Sequence, residues 1–341
     1  MASTGPPTLH SACLQHSPTP PRLQSKTWPG NYTSITGIIF VGLSSDQRMQ
    51  IALFVVIFTA YMLTMLGNLL IIILVQSDSR LHTPMYFFLT NLSVLEMGFV
   101  TSIVPQTLTH LLAGSGKISF TSCITQMYFT CSLGCTEGLL LAVMAYDRYL
   151  AICFPLSYAV TMNRRCYLML GAASWLGAFL ISGMITAFIM HLPFCGPHDI
   201  NHFFCEFEMV LRLACVDTHF TETIILGSGV IILLAPFIAI LISYGLVMMT
   251  VVHMKSGAGR SKAFSTCASH LMVVVMFYGC LIALYMRVRS RRDPSFDKYV
   301  SVFYVVITPL LNPVIYTLRN KDVHTAVATV LQIKMLSRRA D

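Results

Sequence analysis

Seven long apolar stretches, separated by short polar segments, dominate the chain. They lie at roughly residues 50–76, 84–106, 120–147, 166–189, 219–252, 262–286 and 297–318. About 20 consecutive apolar residues are enough for an α-helix to cross the hydrocarbon core of a bilayer. The pattern therefore predicts an all-α membrane protein, in which residues 50–318 form a bundle of seven transmembrane helices.

Polar segments flank the predicted bundle on both sides. Residues 1–49 form a predicted N-terminal tail, and its first 30 residues are rich in Pro, Ser and Thr, a composition that favours disorder. Asn31 opens a glycosylation sequon, Asn-Tyr-Thr, shortly before the first span. Residues 319–341 are predicted to form a short amphipathic helix on the cytoplasmic membrane surface, followed by a tail.

Composition excludes most soluble classes of protein. The chain is 55% apolar and 11% charged, with a mean hydropathy of +0.70. A soluble domain usually carries about 25% charged residues. The net charge of +8 does not indicate nucleic-acid binding, because the Lys and Arg residues are scattered in short loops and form no basic face with interleaved aromatic residues.

The orientation of the bundle rests on more than charge. With the N-terminus outside, 12 of the 22 Lys and Arg residues fall on the cytoplasmic side, so the positive-inside rule barely distinguishes the two orientations. Four of the 11 cysteines lie in or beside loops: Cys123, Cys195, Cys205 and Cys215. Loop cysteines indicate an oxidising compartment and, with the sequon, favour an extracellular N-terminus. Spacing alone allows three disulfide connectivities among the four.

Two carboxylates interrupt the apolar spans. Glu96 lies deep in the second span and Glu137 deep in the third. A carboxylate at the centre of a membrane helix costs about 2.5–3.5 kcal/mol, so such residues mark ion or proton sites, or are protonated and bonded to a neighbour. Two facing acids repel unless a cation or a proton lies between them. We therefore predict a cation or a shared proton at this pair.

Four motifs at the ends of spans resemble those of the olfactory receptors, specifically the larger, tetrapod-type class of this rhodopsin-like branch of the G-protein-coupled receptors. They are Leu-His-Thr-Pro-Met-Tyr-Phe-Phe-Leu at 81–89, the run from Met144 to Tyr158 around Asp-Arg-Tyr, Lys-Ala-Phe-Ser-Thr-Cys-Ala-Ser-His-Leu at 262–271, and Pro-Leu-Leu-Asn-Pro-Val-Ile-Tyr at 309–316. The resemblance runs from about residue 31 to residue 334, and it includes the three loop cysteines spaced ten residues apart.

The resemblance implies a function and two disulfides. The chain would be a receptor in the plasma membrane that binds a small volatile odorant and activates a stimulatory olfactory-type G protein, which raises cAMP. The implied disulfides are Cys123–Cys205 and Cys195–Cys215. Glu96 stands where rhodopsin-like receptors usually have an Asp that helps to hold a sodium ion. Apart from that ion or proton, we expect no cofactor and no metal, and membrane lipid as a partner.

The resemblance also implies two groups of site residues. The odorant would lie in the outer half of the bundle, against Thr130, Cys131, Gly134, Cys135, Ser228, Ile232, Tyr278, Leu281, Ile282 and Tyr285. The switch that couples to the G protein would comprise Asp147, Arg148, Tyr149, Tyr244, Lys262, His270, Asn312, Pro313 and Tyr316. Asp147 and polar neighbours would hold Arg148 in the inactive state, and Arg148 would turn toward Tyr244, Tyr316 and the G protein in the active state.

Two other classes of function compete with the receptor. A channel or transporter would use Glu96 and Glu137 along a permeation path, but other polar residues on one helix face are sparse. An intramembrane enzyme would need a base or metal paired with His270 or Cys267, and the sequence indicates none, so we expect no enzyme activity. A receptor of the same superfamily that serves a non-olfactory tissue is left open.

Overall fold

The computed structural model describes residues 37–195, 199–254, 256–285, 294–318 and 325. Seven of the described helices are long and apolar enough to cross a membrane, which confirms the predicted seven-helix bundle. They are α1 Gln47–Ser77, α2 Pro84–Ala113, α3 Phe120–Cys153, α4 Arg164–Met190, α5 His219–Val252, α6 Gly257–Tyr285 and α7 Ser295–Tyr316.

Local sequence explains where several helices begin and end. The Asp46 side chain accepts a hydrogen bond from the Arg48 N–H and so caps the first turn of α1. Pro84 opens α2, where its missing N–H costs nothing. Gly114 has a φ of 64° and ends α2 in the left-handed conformation that glycine adopts readily.

Two helices extend furthest beyond the spans that the apolar pattern predicts. α2 continues past residue 106 to Ala113, and α3 continues past residue 147 to Cys153. Pro105 lies inside α2 without ending it. α5 and α7 each contain a wider, π-helical turn, at Val230–Leu234 and Phe303–Ile307. Such turns inside α-helices frequently lie at functional sites.

A small β-sheet covers one end of the bundle. β1 Gly37–Phe40 pairs antiparallel with β2 Gly116–Ser119 and parallel with β3 Asp199–Ile200. The all-α prediction omitted this sheet, because strands of two to four residues carry too little alternation to be recognised. β1 also lies within residues 1–49, so the last part of the predicted tail is ordered. We call this the sheet end, and the end that holds Asp147 the far end.

Burial follows the expected pattern of a membrane bundle. Large side chains such as Phe88, Phe99 and Phe277 are fully buried between the helices. Other apolar side chains face outward, including Leu180 and Leu226, which are 72% and 70% exposed. Soluble proteins rarely expose apolar surface this extensively, so the outward faces are suited to contact with lipid.

Some predicted features lie outside the described residues. These are the sequon at Asn31, the amphipathic C-terminal helix apart from residue 325, and the side chains of Lys262 and Tyr285.

Candidate functional site

A polar centre joins three helices in the middle of the bundle. Glu96 of α2, Glu137 of α3 and Asn312 of α7 are 1%, 2% and 1% exposed. The Asn312 side-chain amide donates a hydrogen bond to Glu96 Oε1. Glu96 and Glu137 lie close enough for the charge of one to act on the other. The structure thus brings together both predicted acids and one predicted switch residue.

The polar centre retains unused acceptor atoms. Among the described residues, none donates a hydrogen bond to Glu96 Oε2, Glu137 Oε1 or Asn312 Oδ1, although all three atoms are buried. A buried polar atom without a partner costs about 1–3 kcal/mol. Carboxylate and amide oxygens suit hard cations, and a proton shared by the two carboxyl groups would satisfy the same atoms. The residues present therefore fit either predicted occupant.

Asp147 at the far end is held by a tyrosine. The Tyr158 hydroxyl donates a hydrogen bond of 2.7 Å to Asp147 Oδ1, and Asp147 is 2% exposed. Burial, and the hydrogen bond to Asp147, raise the pKa of the Tyr158 phenol, which keeps it a donor. Within the described part of the chain, no ion pair joins Asp147 to Arg148. The charge of Arg148 still acts on Asp147, so the expectation that Asp147 and polar neighbours hold Arg148 in the inactive state stays a prediction.

Arg148 lies among the other predicted switch residues. Its side chain is half-buried, and its charge acts on Tyr244 of α5, His270 of α6 and Tyr316 of α7. The Tyr244 hydroxyl lies 2.8 Å from His270 Nδ1, which links α5 to α6. At the far end, residues of α3, α5, α6 and α7 therefore lie around one cation.

The remaining described switch residues pack nearby helices. The ring of Tyr149 lies 5.6 Å from that of Phe154 at the end of α3. Pro313 of α7 faces Gly67 of α1, where a Cβ atom would lie 3.2 Å from Pro313 Cβ. Both contacts are packing contacts in this structure.

Part of the predicted odorant site converges in the interior. Gly134 of α3 faces α7, because a Cβ atom there would lie 3.0 Å from the Tyr304 hydroxyl. Tyr278 of α6 is buried, with its ring 4.6 Å from that of Phe237. Ile232 is 3% exposed in the π-helical turn of α5, which packs on α3. These three residues lie on the inward faces of α3, α5 and α6.

Other predicted odorant residues face neighbouring helices. The Thr130 hydroxyl lies 3.4 Å from that of Ser102 in α2. Cys131 Sγ accepts a hydrogen bond of 3.5 Å from Ser182 in α4, and Cys135 interacts with Cys131. These side chains therefore line the contacts of α3 with α2 and α4.

Three predicted residues on α5 and α6 differ in placement. Ser228 is buried but donates to the Ile225 carbonyl in its own helix. Leu281 is half-buried. Ile282 is 47% exposed, on the same outward stripe of α6 as Met272 and Val275, so its assignment to the pocket is corrected. Sequence periodicity alone did not separate the inward from the outward face in the second half of this helix, which is almost uniformly apolar.

Two cysteine pairs constrain the loop after α4. The Cα atoms of Cys123 and Cys205 are 5.5 Å apart, and those of Cys195 and Cys215 are 5.6 Å apart. Both pairs stand at disulfide distance, and they are the two pairs that the resemblance implies. The first pair fixes the loop to the start of α3.

Gln126 is a bridging residue that the sequence analysis missed. Its side-chain oxygen accepts a hydrogen bond of 2.9 Å from the Cys205 N–H, and its amide donates to the Ser102 carbonyl at 2.9 Å and to Gln106 Oε1 at 3.0 Å. One side chain thus joins α2, α3 and the disulfide-bonded loop. A polar residue one turn after Cys123, in an apolar span, was the available signal.

His202 lies buried beneath the sheet end. It is 1% exposed, and its ring stacks on Phe203 with centroids 4.9 Å apart. Burial, and the nearby charge of Lys298, lower the pKa of His202 to about 3. This imidazole is therefore neutral at physiological pH.

The comparisons with known proteins agree along almost the whole chain. The family model described as "Olfactory receptor" matches residues 57–334. Human olfactory receptor 2D2 is 50% identical over 300 residues, which cover 88% of this chain and 97% of that protein. The canine olfactory receptor-like protein OLF3 is 48% identical over 297 residues, covering 87% and 94%, and human olfactory receptor 10A7 is 45% identical over 308, covering 90% and 98%. The chain therefore belongs to the olfactory receptor family of rhodopsin-like G-protein-coupled receptors, which are receptors and not enzymes.

Proposed function

We propose that this odorant receptor binds small, mostly apolar volatile molecules in the half of the bundle nearest the sheet and activates a stimulatory olfactory-type G protein, which raises cAMP. The observation that carries the proposal is the match to olfactory receptors over nearly the full chain. Pockets for such ligands are apolar, with a few polar groups that orient the ligand.

The inward faces of α3, α5 and α6 support the proposed location. Gly134 packs closely against the Tyr304 hydroxyl, while Ile232 supplies an apolar wall. Among the described residues, none hydrogen-bonds to the buried Tyr278 hydroxyl. This hydroxyl is therefore available to an oxygen atom of the ligand. Thr130, Cys131, Cys135, Ser228 and Leu281 would complete the surrounding walls.

The sheet end is the proposed extracellular end, in a receptor of the plasma membrane. Both cysteine pairs lie there, and disulfides persist in oxidising compartments. The far end would then face the cytoplasm, where Arg148 and its neighbours on α5, α6 and α7 would meet the G protein. An epitope placed before residue 31 should be stained by antibody in intact cells; staining only after permeabilisation would contradict this orientation.

Signalling would follow from a shift in populations. A ligand moves the balance only if it binds the active packing better than the inactive one. The hydrogen bond between Tyr244 and His270 links α5 to α6 at the far end, so an outward movement of α6 would have to break it or carry it along. Such a movement would free Arg148 for the G protein.

The polar centre would stabilise the inactive packing. A sodium ion, or a proton shared by Glu96 and Glu137, would occupy the space beside their unused oxygens and Asn312 Oδ1. Because these residues come from α2, α3 and α7, either occupant would hold three helices together.

The decisive experiment is cAMP accumulation in cells that express the chain with a stimulatory olfactory-type G protein, against a panel of volatile compounds. A dose-dependent response should appear in the native receptor and be lost in Arg148→Ala at equal surface expression. The matched control is Arg164→Ala, which removes an exposed arginine at the start of α4. A response that persists in Arg148→Ala, or odorant-gated ion flux without cAMP, would contradict the proposal.

A further inference from the structure

A polar cleft opens between α2 and α3 at the sheet end, apart from the proposed odorant site. Its volume is about 300 Å³, within the range of small-molecule sites. It is lined by Ser102, Gln106, Thr121, Ser122, Thr125, Gln126 and Phe129. Thr121, Ser122, Thr125 and Phe129 are exposed on the outward face of α3, so the cleft opens toward lipid.

The hydroxyl groups of this cleft lack the partners that membrane helices usually give them. Elsewhere in the bundle, threonine hydroxyls donate to the carbonyl four residues earlier, as Thr64 does to Ala60 and Thr107 to Ile103. Within the described residues, the hydroxyls of Thr121 and Thr125 make no hydrogen bond. Both therefore remain free to bind a molecule in the cleft.

Two further side chains of the cleft, Ser122 and Gln106, also retain hydrogen-bond donors. Ser122 Oγ accepts a hydrogen bond of 2.8 Å from Ser119, so the Ser122 proton remains available to donate. The side-chain oxygen of Gln106 is taken by Gln126, which leaves the amide N–H groups of Gln106 as donors. The cleft can therefore both donate to and accept from a single hydroxyl or carbonyl oxygen.

Charge and shape narrow the class of ligand. None of the seven described residues that line the cleft is charged, so a phosphate headgroup would find no cationic partner there. The Phe129 side chain is 43% exposed and its ring lies 6.5 Å from that of Phe179 in α4. Phe129 lies two helical turns, about 12 Å, below Thr121. The cleft thus pairs a neutral polar mouth with an aromatic floor deeper in the membrane.

We propose that this cleft binds a membrane sterol, with the sterol hydroxyl between Thr121 and Thr125 and its ring system against Phe129. A sterol combines one small neutral hydroxyl with a rigid apolar body, which matches both parts of the cleft. Because Gln126 lines the cleft and also bonds the disulfide-bonded loop, a bound sterol would stabilise the packing of α2, α3 and that loop.

The test is photolabelling of the full-length receptor in phosphatidylcholine nanodiscs with a diazirine-bearing cholesterol analogue. Mass spectrometry should place the label on the segments of α2 and α3 that line the cleft. The double substitution Thr121→Val with Thr125→Val should reduce labelling about fivefold, as expected for the loss of two hydrogen bonds. Thr59→Val is the control, since this exposed threonine bonds to its own helix.

Several outcomes would overturn the proposal. They are labels confined to other surfaces, equal labelling of the double variant and the native receptor, or equal labelling of the cleft by a diazirine-bearing phosphatidylcholine. If the double variant does not fold, competition on the native receptor decides. Unlabelled cholesterol should displace the probe at least several-fold better than its 3α epimer, and equal displacement would count against a site that reads the hydroxyl.

Discussion

The Tyr158 hydroxyl and the Asp147 carboxylate form a hydrogen bond of 2.7 Å at the far end of the bundle. Tyr158 follows α3 on a short helical turn, Tyr158–Thr161, so the loop after α3 folds back onto the residue next to Arg148. Asp147 is thereby satisfied without pairing directly to Arg148. The hydrogen bond that holds Asp147 therefore lies between a helix and its following loop.

Tyr158→Phe should raise basal signalling. The substitution keeps the ring but leaves the buried Asp147 oxygen without its donor, at a cost of about 1–3 kcal/mol to the packing seen here. We expect basal cAMP to rise about fivefold at equal surface expression, and Asp147→Ala to act in the same direction. Tyr146→Phe, on an exposed position of the same helix, is the control. Unchanged basal cAMP in both Tyr158→Phe and Asp147→Ala would show that this bond does not restrain the switch.

Sodium and protons should affect the polar centre differently. If the centre holds sodium, replacing Na⁺ with a large organic cation should lower the half-maximal odorant concentration about fivefold. Glu137→Gln should remove that dependence, because only one carboxylate remains. If the centre holds a shared proton, the half-maximal odorant concentration should vary with pH and not with the Na⁺ concentration. A native receptor insensitive to both would argue against any occupant between Glu96 and Glu137.

Cys205→Ser should abolish surface display. The Cys123–Cys205 pair closes a loop with a sequence separation of 82 residues, and such closure stabilises a folded protein by about 4–5 kcal/mol. The measurement is antibody staining of intact cells. Cys166→Ser, which removes a free half-buried cysteine, should stain normally. Normal staining of Cys205→Ser would mean that this pair is dispensable for folding.

Gly134→Ala should impair odorant responses. The added Cβ would lie 3.0 Å from the Tyr304 hydroxyl, and Tyr304 is wedged between Phe99 and Phe277 at centroid distances of 5.2 and 6.0 Å. The overpacking forces neighbouring side chains to shift, at a cost of about 1–3 kcal/mol in stability, and this shift alters the proposed pocket. Responses should weaken or shift among odorants, as read by dose–response curves. Gly177→Ala, where no atom lies within 4 Å of an added Cβ, should respond as the native receptor does.

Stability should fall in mild acid because of His202. Its pKa is lowered to about 3, whereas an unfolded histidine titrates near its ordinary value of about 6.5. Below about pH 6.5 the unfolded chain takes up a proton that the folded receptor does not. The free energy of unfolding therefore falls by about 1.4 kcal/mol per pH unit from pH 6.5 down toward the folded pKa. Thermal unfolding in detergent at pH 7.5 and 5.5 should show the loss.

The control for the acid experiment replaces the buried imidazole. His202→Phe should show a smaller loss of melting temperature between the two pH values, because it removes this linkage. His219→Gln, at an exposed position at the start of α5, should retain the native slope. An identical pH dependence in His202→Phe would place the acid sensitivity elsewhere.

The helices could be predicted from the sequence because each span is apolar over 20 or more residues. Glu96 and Glu137 could be singled out because an ionisable residue inside an apolar span is rare. Sequence reasoning did not predict β1, β2 or β3, whose short strands are stabilised by pairing with distant segments. It also did not predict Tyr158 as a partner of Asp147 or the outward facing of Ile282. Those features depend on which helix face turns inward and where a loop returns, and tertiary packing decides both.

The bond between Asn312 and Glu96 has a consequence for biosynthesis. The two residues are 216 positions apart, and a ribosome makes the chain from its N-terminus. Glu96 therefore enters the membrane well before its partner exists, as a polar group that lipid does not solvate. The polar centre is complete only once α7 has been inserted, so receptor folding has an obligatory late step. A chain that stops before α7 leaves this carboxylate without its Asn312 partner. The cell's quality-control machinery would then have to recognise an unsatisfied polar group within the bilayer.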